Sequence, residues 1–429
     1  MKLWRNRIGR VGWGIADQGV SSLTNFIVAV FVARSVSPND FGAFAIAFTT
    51  YLTAMGFCRA VAAEPLVVRY TSASSDARQD AIAAANGLAV VVGVLLGGVC
   101  VLGGVAIGGT LGDTLIALGL LLPGLLLQDS WRFAFFAAGH GAAAFLNDLV
   151  WGVVLVPVML VVLFVAPPTA PTFVFAWGAA ATVAAIFGIA QTRTIPRPQE
   201  SLSWLRTNRD LASRFLAESM TMFGVGQIGV SVIGAVAGLS AVGAFRAAHI
   251  LFGPVAVLGQ ATGLAGVPES IRIMRRGRER LFRAAIALSL AMLGAAVIWG
   301  GVLLVLPATL GEAILGPTWE GARSILVPLL IALCGTAANS GAVIGLRALA
   351  AARRSLRARI ALSMIGLLIS IGGVVTAGIQ GVAWGSACSA WIGAAVWWSQ
   401  FRGALRYQPL APSEADSPEY SFERTGQIS

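Results

Sequence analysis

The chain holds one lysine, Lys2, and two histidines, His140 and His249. A P-loop needs a lysine against the nucleotide phosphates behind a glycine-rich loop, and a Schiff-base enzyme needs a buried amine. Lys2 sits in the arginine-rich opening MKLWRNRIGR and serves neither, so P-loop ATP hydrolysis is excluded. The histidines are too far apart for the usual zinc spacings. The four cysteines, Cys58, Cys100, Cys334 and Cys388, stand in apolar runs with no CxxC and read as small buried hydrophobes. No metal and no cofactor is implied.

Charge is equally scarce. Only 11% of residues are charged while 57% are apolar, and the mean hydropathy is +0.81; soluble domains run nearer about 25% and about 45–50%. A water-soluble globular enzyme is excluded on those grounds, and the membrane is the solvent that fits. The net charge of +11 comes from arginines scattered between apolar runs, as expected of cytoplasmic membrane loops. No nucleic-acid partner is expected.

What is present is long apolar runs. A helix-length window places spans at roughly 13–33, 41–63, 81–107, 113–138, 143–166, 172–191, 214–235, 241–265, 283–306, 323–345, 358–378 and 382–401. The runs are continuous, without the alternation of a barrel strand, so the expected class is an all-α integral membrane protein of about twelve transmembrane helices. The basic N-terminus resembles a signal peptide, but Asp17 interrupts the run and no A-x-A-like cleavage site follows, so it is expected to remain as the first span. With the N-terminus inside, 26 of the 30 basic residues fall in inner segments and two, Arg34 and Arg323, in outer ones. That asymmetry predicts a multi-pass protein of the cytoplasmic membrane with both termini cytoplasmic.

Setting each residue against the one 201 positions later aligns Ala16-Asp17 with Ala217-Glu218, Gly42-Ala43-Phe44 with Gly243-Ala244-Phe245, and Ala47 with Ala248. Span 1 falls on span 7 and span 2 on span 8, a parallel repeat of two six-helix lobes. The expected organisation is an N-terminal lobe over 1–191, a cytoplasmic linker over 192–213, a C-terminal lobe over 214–402 and a disordered cytoplasmic tail over 403–429. Two lobes about a central cavity suit alternating access.

The stretch WGIADQGVSSLTNFIVAVFVARSVSPNDFGAFAIAF (13–48), with LLLQDSWRFAFFAAGH (125–140), FLNDLVWG (145–152) and VGAFRAAHILFGP (242–254), resembles polysaccharide flippases of the multidrug/oligosaccharidyl-lipid/polysaccharide exporter superfamily. The resemblance implies a carrier that turns an undecaprenyl-pyrophosphate-linked oligosaccharide from the cytoplasmic to the outer leaflet for surface polysaccharide biosynthesis. Polysaccharide-assembly proteins would be its partners. The chain departs from that pattern in having few central cationic residues.

Ionisable groups inside spans are the candidates for function. Arg246 and His249 lie one turn apart on span 8, where the guanidinium could hold a pyrophosphate through bidentate bonds. The alternatives are an arginine that snorkels outward and a histidine satisfied by a backbone carbonyl. Arg59, near the inner end of span 2, and Arg34, at the outer end of span 1, are further substrate-binding candidates or topology anchors. Asp17 and Glu218, equivalent in the two lobes, are candidates for ion coupling, or simply carboxylates favoured by a helix dipole. Asp129, Arg132 and Asp148 read as a structural ion cluster locking spans 4 and 5. The arginine clusters at 272–283 and 347–359 read as rests for anionic lipid headgroups, with an anionic substrate as the second reading.

With no ATPase in the chain, the drive is a gradient or the membrane potential; a doubly charged headgroup moving outward gains roughly 4.6 kcal/mol per 100 mV. The competing readings are a multidrug cation antiporter of the same superfamily, which would need an anionic cavity, and a membrane glycosyl polymerase, which would need a substantial outer loop.

Overall fold

A computed structural model describes residues 24–407, and among them no strand occurs. The helices are α1 (Thr24–Ser35), α2 (Pro38–Tyr70), α3 (Ser75–Ile107), α4 (Gly109–Ala137), α5 (Gly141–Val165), α6 (Ala170–Thr192) and α7 (Pro198–Ala237). They continue as α8 (Leu239–Leu251), α9 (Gly253–Met274), α10 (Arg278–Leu304), α11 (Ala308–Leu315), α12 (Trp319–Ser324), α13 (Leu326–Ala348) and α14 (Ala352–Tyr407). Nine of the described helices are long and apolar enough to cross a membrane, and ten if α8 and α9, bent by 59°, form one span. α14 breaks at Ala377 and Gly378, the latter at φ +56°, and so is two helices joined end to end. Dividing it there, and adding α1 as the described part of span 1, recovers the twelve expected segments.

Three boundaries differ from the sequence reading for physical reasons. Span 8 is broken, because Gly253-Pro254 follows Leu251 and proline removes a backbone donor. At the break the carbonyl of Leu251 accepts from Trp299 Nε1 at 2.8 Å. Residues 201–219, read as linker and the start of span 7, form an amphipathic helix continuous with span 7. Its Trp204 is buried and donates to the Val61 carbonyl at 3.0 Å, while Arg69 of α2 forks onto Asp210 at 2.8 and 2.7 Å. Residues 403–407, assigned to the tail, continue α14, and the rest of that tail lies outside the described residues.

α2 packs against helices from both halves of the chain. Ser37 caps it by accepting from the Asp40 amide at 3.1 Å, with Pro38 in the first turn. Phe41, Phe44, Phe48 and Tyr51 follow at helical spacing and pack into the N-terminal lobe, where Tyr51 meets Trp177 edge-on at 4.8 Å. Lipid-facing residues such as Leu95, Leu102, Val153 and Phe164 lie on the outer faces of α3 and α5. Since lipid is as apolar as these side chains, close packing and polar contacts must hold the helices together.

Polar contacts do so at one place above all. Arg59 Nε and Nη2 donate to the two Asp129 oxygens at 2.7 and 2.6 Å. Arg132 lies 3.9 Å from Asp129 and pairs with Asp148, which also accepts from Gln128 at 2.8 Å. Asn147 extends the network to α6 by donating to the Ala184 carbonyl and to Gln191, each at 2.9 Å. Two cations and two anions thus balance within a cluster spanning α2, α4, α5 and α6.

Across the lobes, α2 and α8 touch backbone to backbone. A β-carbon at Gly42 would lie 1.8 Å from the Leu239 carbonyl oxygen, and one at Gly243 would lie 2.5 Å from the Pro38 carbonyl oxygen. Pro38 and Leu239, like Gly42 and Gly243, are equivalent under the offset of 201, so one contact is the two-fold image of the other. Ile46, Ile233, Val242, Val374 and Val382 seal the same end.

Two predictions follow from these contacts. Replacing Asp129 by Leu should lower unfolding stability by about 3 kcal/mol, because two guanidinium groups lose their shared counter-ion; Arg59→Met together with Asp129→Leu should cost less than Asp129→Leu alone. Denaturant titration in detergent measures both, and equal losses would mean that the network does not hold the lobe. Gly42→Val and Gly243→Val should each part the lobes at this end. The readout is maleimide labelling of Ile233→Cys, 3% exposed in the native fold, in a chain stripped of its four native cysteines; a wild-type labelling rate would overturn the assignment.

Candidate functional site

The face between the lobes is lined by α2 on one side and by α7 and α8 on the other. Because α8 meets α2 through small residues, Ala244, Ala247 and Ala248 among them, the one long polar side chain in that stretch has nowhere to go but the interface. Arg246 lies there with its guanidinium carbon 4.6 Å over the Phe48 ring. Its Nε is buried without a hydrogen-bond partner, and among the described residues no carboxylate lies within ion-pair distance of it. A cation–π contact partly replaces water for a desolvated guanidinium, but it brings no counter-charge. The site can therefore accept an anion.

His249 is one turn further along α8. Its Nδ1 meets the Phe245 carbonyl at 2.8 Å, and its ring packs against Phe245 and Phe252 at 4.4 and 5.6 Å. With Nδ1–H donating, Nε2 is left as an acceptor. The backbone contact is the one anticipated for a histidine of structural purpose, whereas Arg246 folds inward over Phe48 instead of snorkelling.

The other candidates are dispersed. Arg59 joins Asp129, Arg132 and Asp148 in the network already described, and its guanidinium also covers Phe133 at 5.1 Å. Arg34 is exposed at the end of α1, where its backbone lies against Gly316. Glu218 is exposed on α7 at the arginine-rich end, in a pocket with Arg347, Arg353 and Arg359. Asp17 lies outside the described residues. The structure therefore does not bring Arg34, Arg59, Arg246 and Glu218 to one centre.

A cleft of about 690 Å³ opens between α2, the α3–α4 turn and α7, on a face of α2 other than that holding Phe48. Gln227 reaches across the lobes there, donating to Thr50 at 3.0 Å and to Ser231 at 3.3 Å. Its Oε1 is buried without a partner. Thr50, Gln227 and Ser231 make a polar strip between apolar walls that include Val99, Ile107 and Leu115.

Neither Phe48 nor Thr50 stands among the candidates drawn from the sequence. The recurrence of Phe41, Phe44, Phe48 and Tyr51 marks a buried face of α2, and that periodicity is a signal from which Phe48 could have been found. Nothing comparable marks Thr50.

No family model matches the chain, and no curated protein does. Solved structures do. An inward-facing multidrug resistance MATE family transporter of the MOP superfamily superposes with a TM-score of 0.62 at 12% identity, over 91% of this chain and 98% of that one. The lipid II flippase MurJ in an inward closed conformation gives 0.67 at 12% identity, over 92% and 90%. A MOP superfamily transporter from Pyrococcus furiosus, described as having a binding pocket of reverse polarity, gives 0.57 at 13% identity, over 92% and 94%. Over nearly its whole length, this chain has the all-helical membrane fold shared by the MOP superfamily transporters.

Proposed function

We propose that the chain is an alternating-access carrier of an anionic, polyprenyl-pyrophosphate-linked oligosaccharide across the cytoplasmic membrane, with its arginine-rich end and both termini in the cytoplasm. The observation that carries this reading is Arg246, a half-buried cation between the lobes over Phe48, its Nε buried and, among the described residues, no carboxylate within ion-pair distance. Burying an uncompensated charge is costly, and a pyrophosphate bound between the lobes removes that cost while its own negative charge is neutralised. The α2–α8 contact closes the end opposite the arginine-rich one, as an alternating-access carrier requires of one face at a time.

The fold is equally that of multidrug transporters, so charge decides between the two cargoes. A carrier of cationic drugs needs free acids between its lobes. Among the described residues the deep carboxylates Asp129 and Asp148 are both paired with arginines, and the central charge without an ion pair is positive.

Proteoliposomes loaded with a fluorescent polyprenyl-pyrophosphate oligosaccharide, under an imposed potential, test this reading. Wild type should translocate the lipid, Arg246→Ala should slow it about tenfold or more, and Arg246→Lys should retain part of the rate as a point charge without the fork. Ethidium efflux by wild type with no lipid translocation would replace this reading with the antiporter.

A further inference from the structure

The second cluster of arginines singled out in the sequence is not a flat basic surface. α13 ends at Ala348 and α14 starts at Ala352. The turn between them holds Ala350 in the left-handed region at φ +53°, which a residue with a β-carbon adopts rarely. That turn folds Arg347, from the last turn of α13, back beside Arg353 and Arg359 of α14, and the three line a pocket of about 450 Å³ with Ser355. Ser355 and Arg359 lie one turn apart on the same face. None of the three arginines has an ion pair or side-chain hydrogen bond among the described residues. This separates them from Arg69 and Arg283, which reach carboxylates on the same side of the molecule. Leu346 and Leu356 give the pocket an apolar wall, and Leu356 is 47% exposed.

We propose that this pocket binds the phosphate-bearing headgroup of a lipid, with Arg347, Arg353 and Arg359 on the phosphate oxygens and the exposed Leu356 against the first carbons of the chain. Three unpaired guanidinium groups converging on one cavity suit a multiply charged oxyanion, and basic pockets between membrane helices are places where lipid headgroups lodge. The apolar wall selects a lipid over a soluble anion. Glu218 of α7 closes the remaining side as the pocket's one acid. Ser219, its neighbour on α7, abuts Gly56 of α2, so the pocket borders the space between the lobes. An occupied pocket thus sets a phosphorylated lipid at the edge of that space. The inference stands on the pocket alone and does not depend on which cargo the carrier moves.

Calorimetric titration of the purified full chain in non-ionic detergent tests it, with farnesyl pyrophosphate as probe and farnesol and inorganic pyrophosphate as comparisons. Saturable binding of farnesyl pyrophosphate, weakened by salt and absent for farnesol, is expected. The variant R347Q/R353Q/R359Q should bind about tenfold or more weakly, as expected for losing charge-assisted bonds. Glu218→Gln should bind a few-fold more tightly, and because its effect runs in the opposite direction, it guards against reading misfolding of the triple variant as lost binding. The triple substitution is also made in an Arg246→Ala chain, where the binding that remains is that of this pocket, which keeps a failure of the central site distinct from a failure of this pocket. Wild-type affinity in the triple variant, or binding of farnesyl pyrophosphate no tighter than farnesol, would overturn the proposal. Equal affinity for inorganic pyrophosphate would overturn its lipid part.

Discussion

A charge taken out of water inside a membrane must be balanced, and the arrangement of this molecule follows from where that balance is struck and where it is left open. In the N-terminal lobe the account closes locally, with Arg59 and Arg132 against Asp129 and Asp148 and the remaining donors of Gln128 and Asn147 directed onto acceptors of neighbouring helices. Four helices are fixed by one neutral cluster. This gives the lobe a reason to behave as a body, since moving any one helix would strip a partner from a buried ion. Between the lobes no such balance exists. Among the described residues Arg246 has an aromatic face and no acid within ion-pair distance, and the hydrogen bond from Gln227 to Thr50, between uncharged groups, separates at far less cost than an ion pair.

The closure between lobes has a matching economy. Helices joined by bulky interdigitating side chains resist separation along their whole length, whereas Gly42 and Gly243 let two backbones touch at a single crossing. The two contacts are images of each other under the internal repeat, so neither lobe alone dictates the geometry. Small residues at crossing points are how membrane helices approach closely. Here they concentrate the joint at one end and leave the cleft bordered by Thr50 and Ser231 toward the interior.

The all-helical membrane class was legible in the sequence because the apolar runs are each carried by many residues. The cluster of Asp129, Arg132 and Asp148 was legible too, since three ions spaced along adjacent spans have few partners but one another. Arg59 was not legible as a member, because its partner stands 70 positions away and nothing local distinguishes an anchored arginine from a free one. The bend after Leu251 was signalled by Gly253-Pro254 and was passed over in favour of an unbroken apolar window. The polarity of 201–213 reads as linker, whereas its helical period is the better signal, since Trp204, Asn208 and Ala212 fall on one buried face. The pocket at Arg347 depends on the reversal at Ala350, a conformation that alanine does not advertise.

Departures from regular helix are unevenly placed, and the placement bears on how the lobes could rock. α3, α5 and α6 run unbroken, and α4 does so even with Pro123 inside it. The helices at the interface do not. α2 carries a π turn at Arg59–Ala63, α7 carries one at Met220–Gly224, and α8 meets α9 at 59°. The two π turns lie near each other across the interface, since Gly56 abuts Ser219 and Phe223. A π turn holds one residue more than the α-helical turn around it, and such turns are frequent at functional sites. Those two helices can therefore change register locally without losing the packing on either side. A four-helix body pinned by a neutral ion cluster, flanked by interface helices that already contain their own adjustable turns, places deformation at the interface, with the α8–α9 bend on the same helix as Arg246. Binding an anion at Arg246 would then act on the part of the molecule least able to resist it.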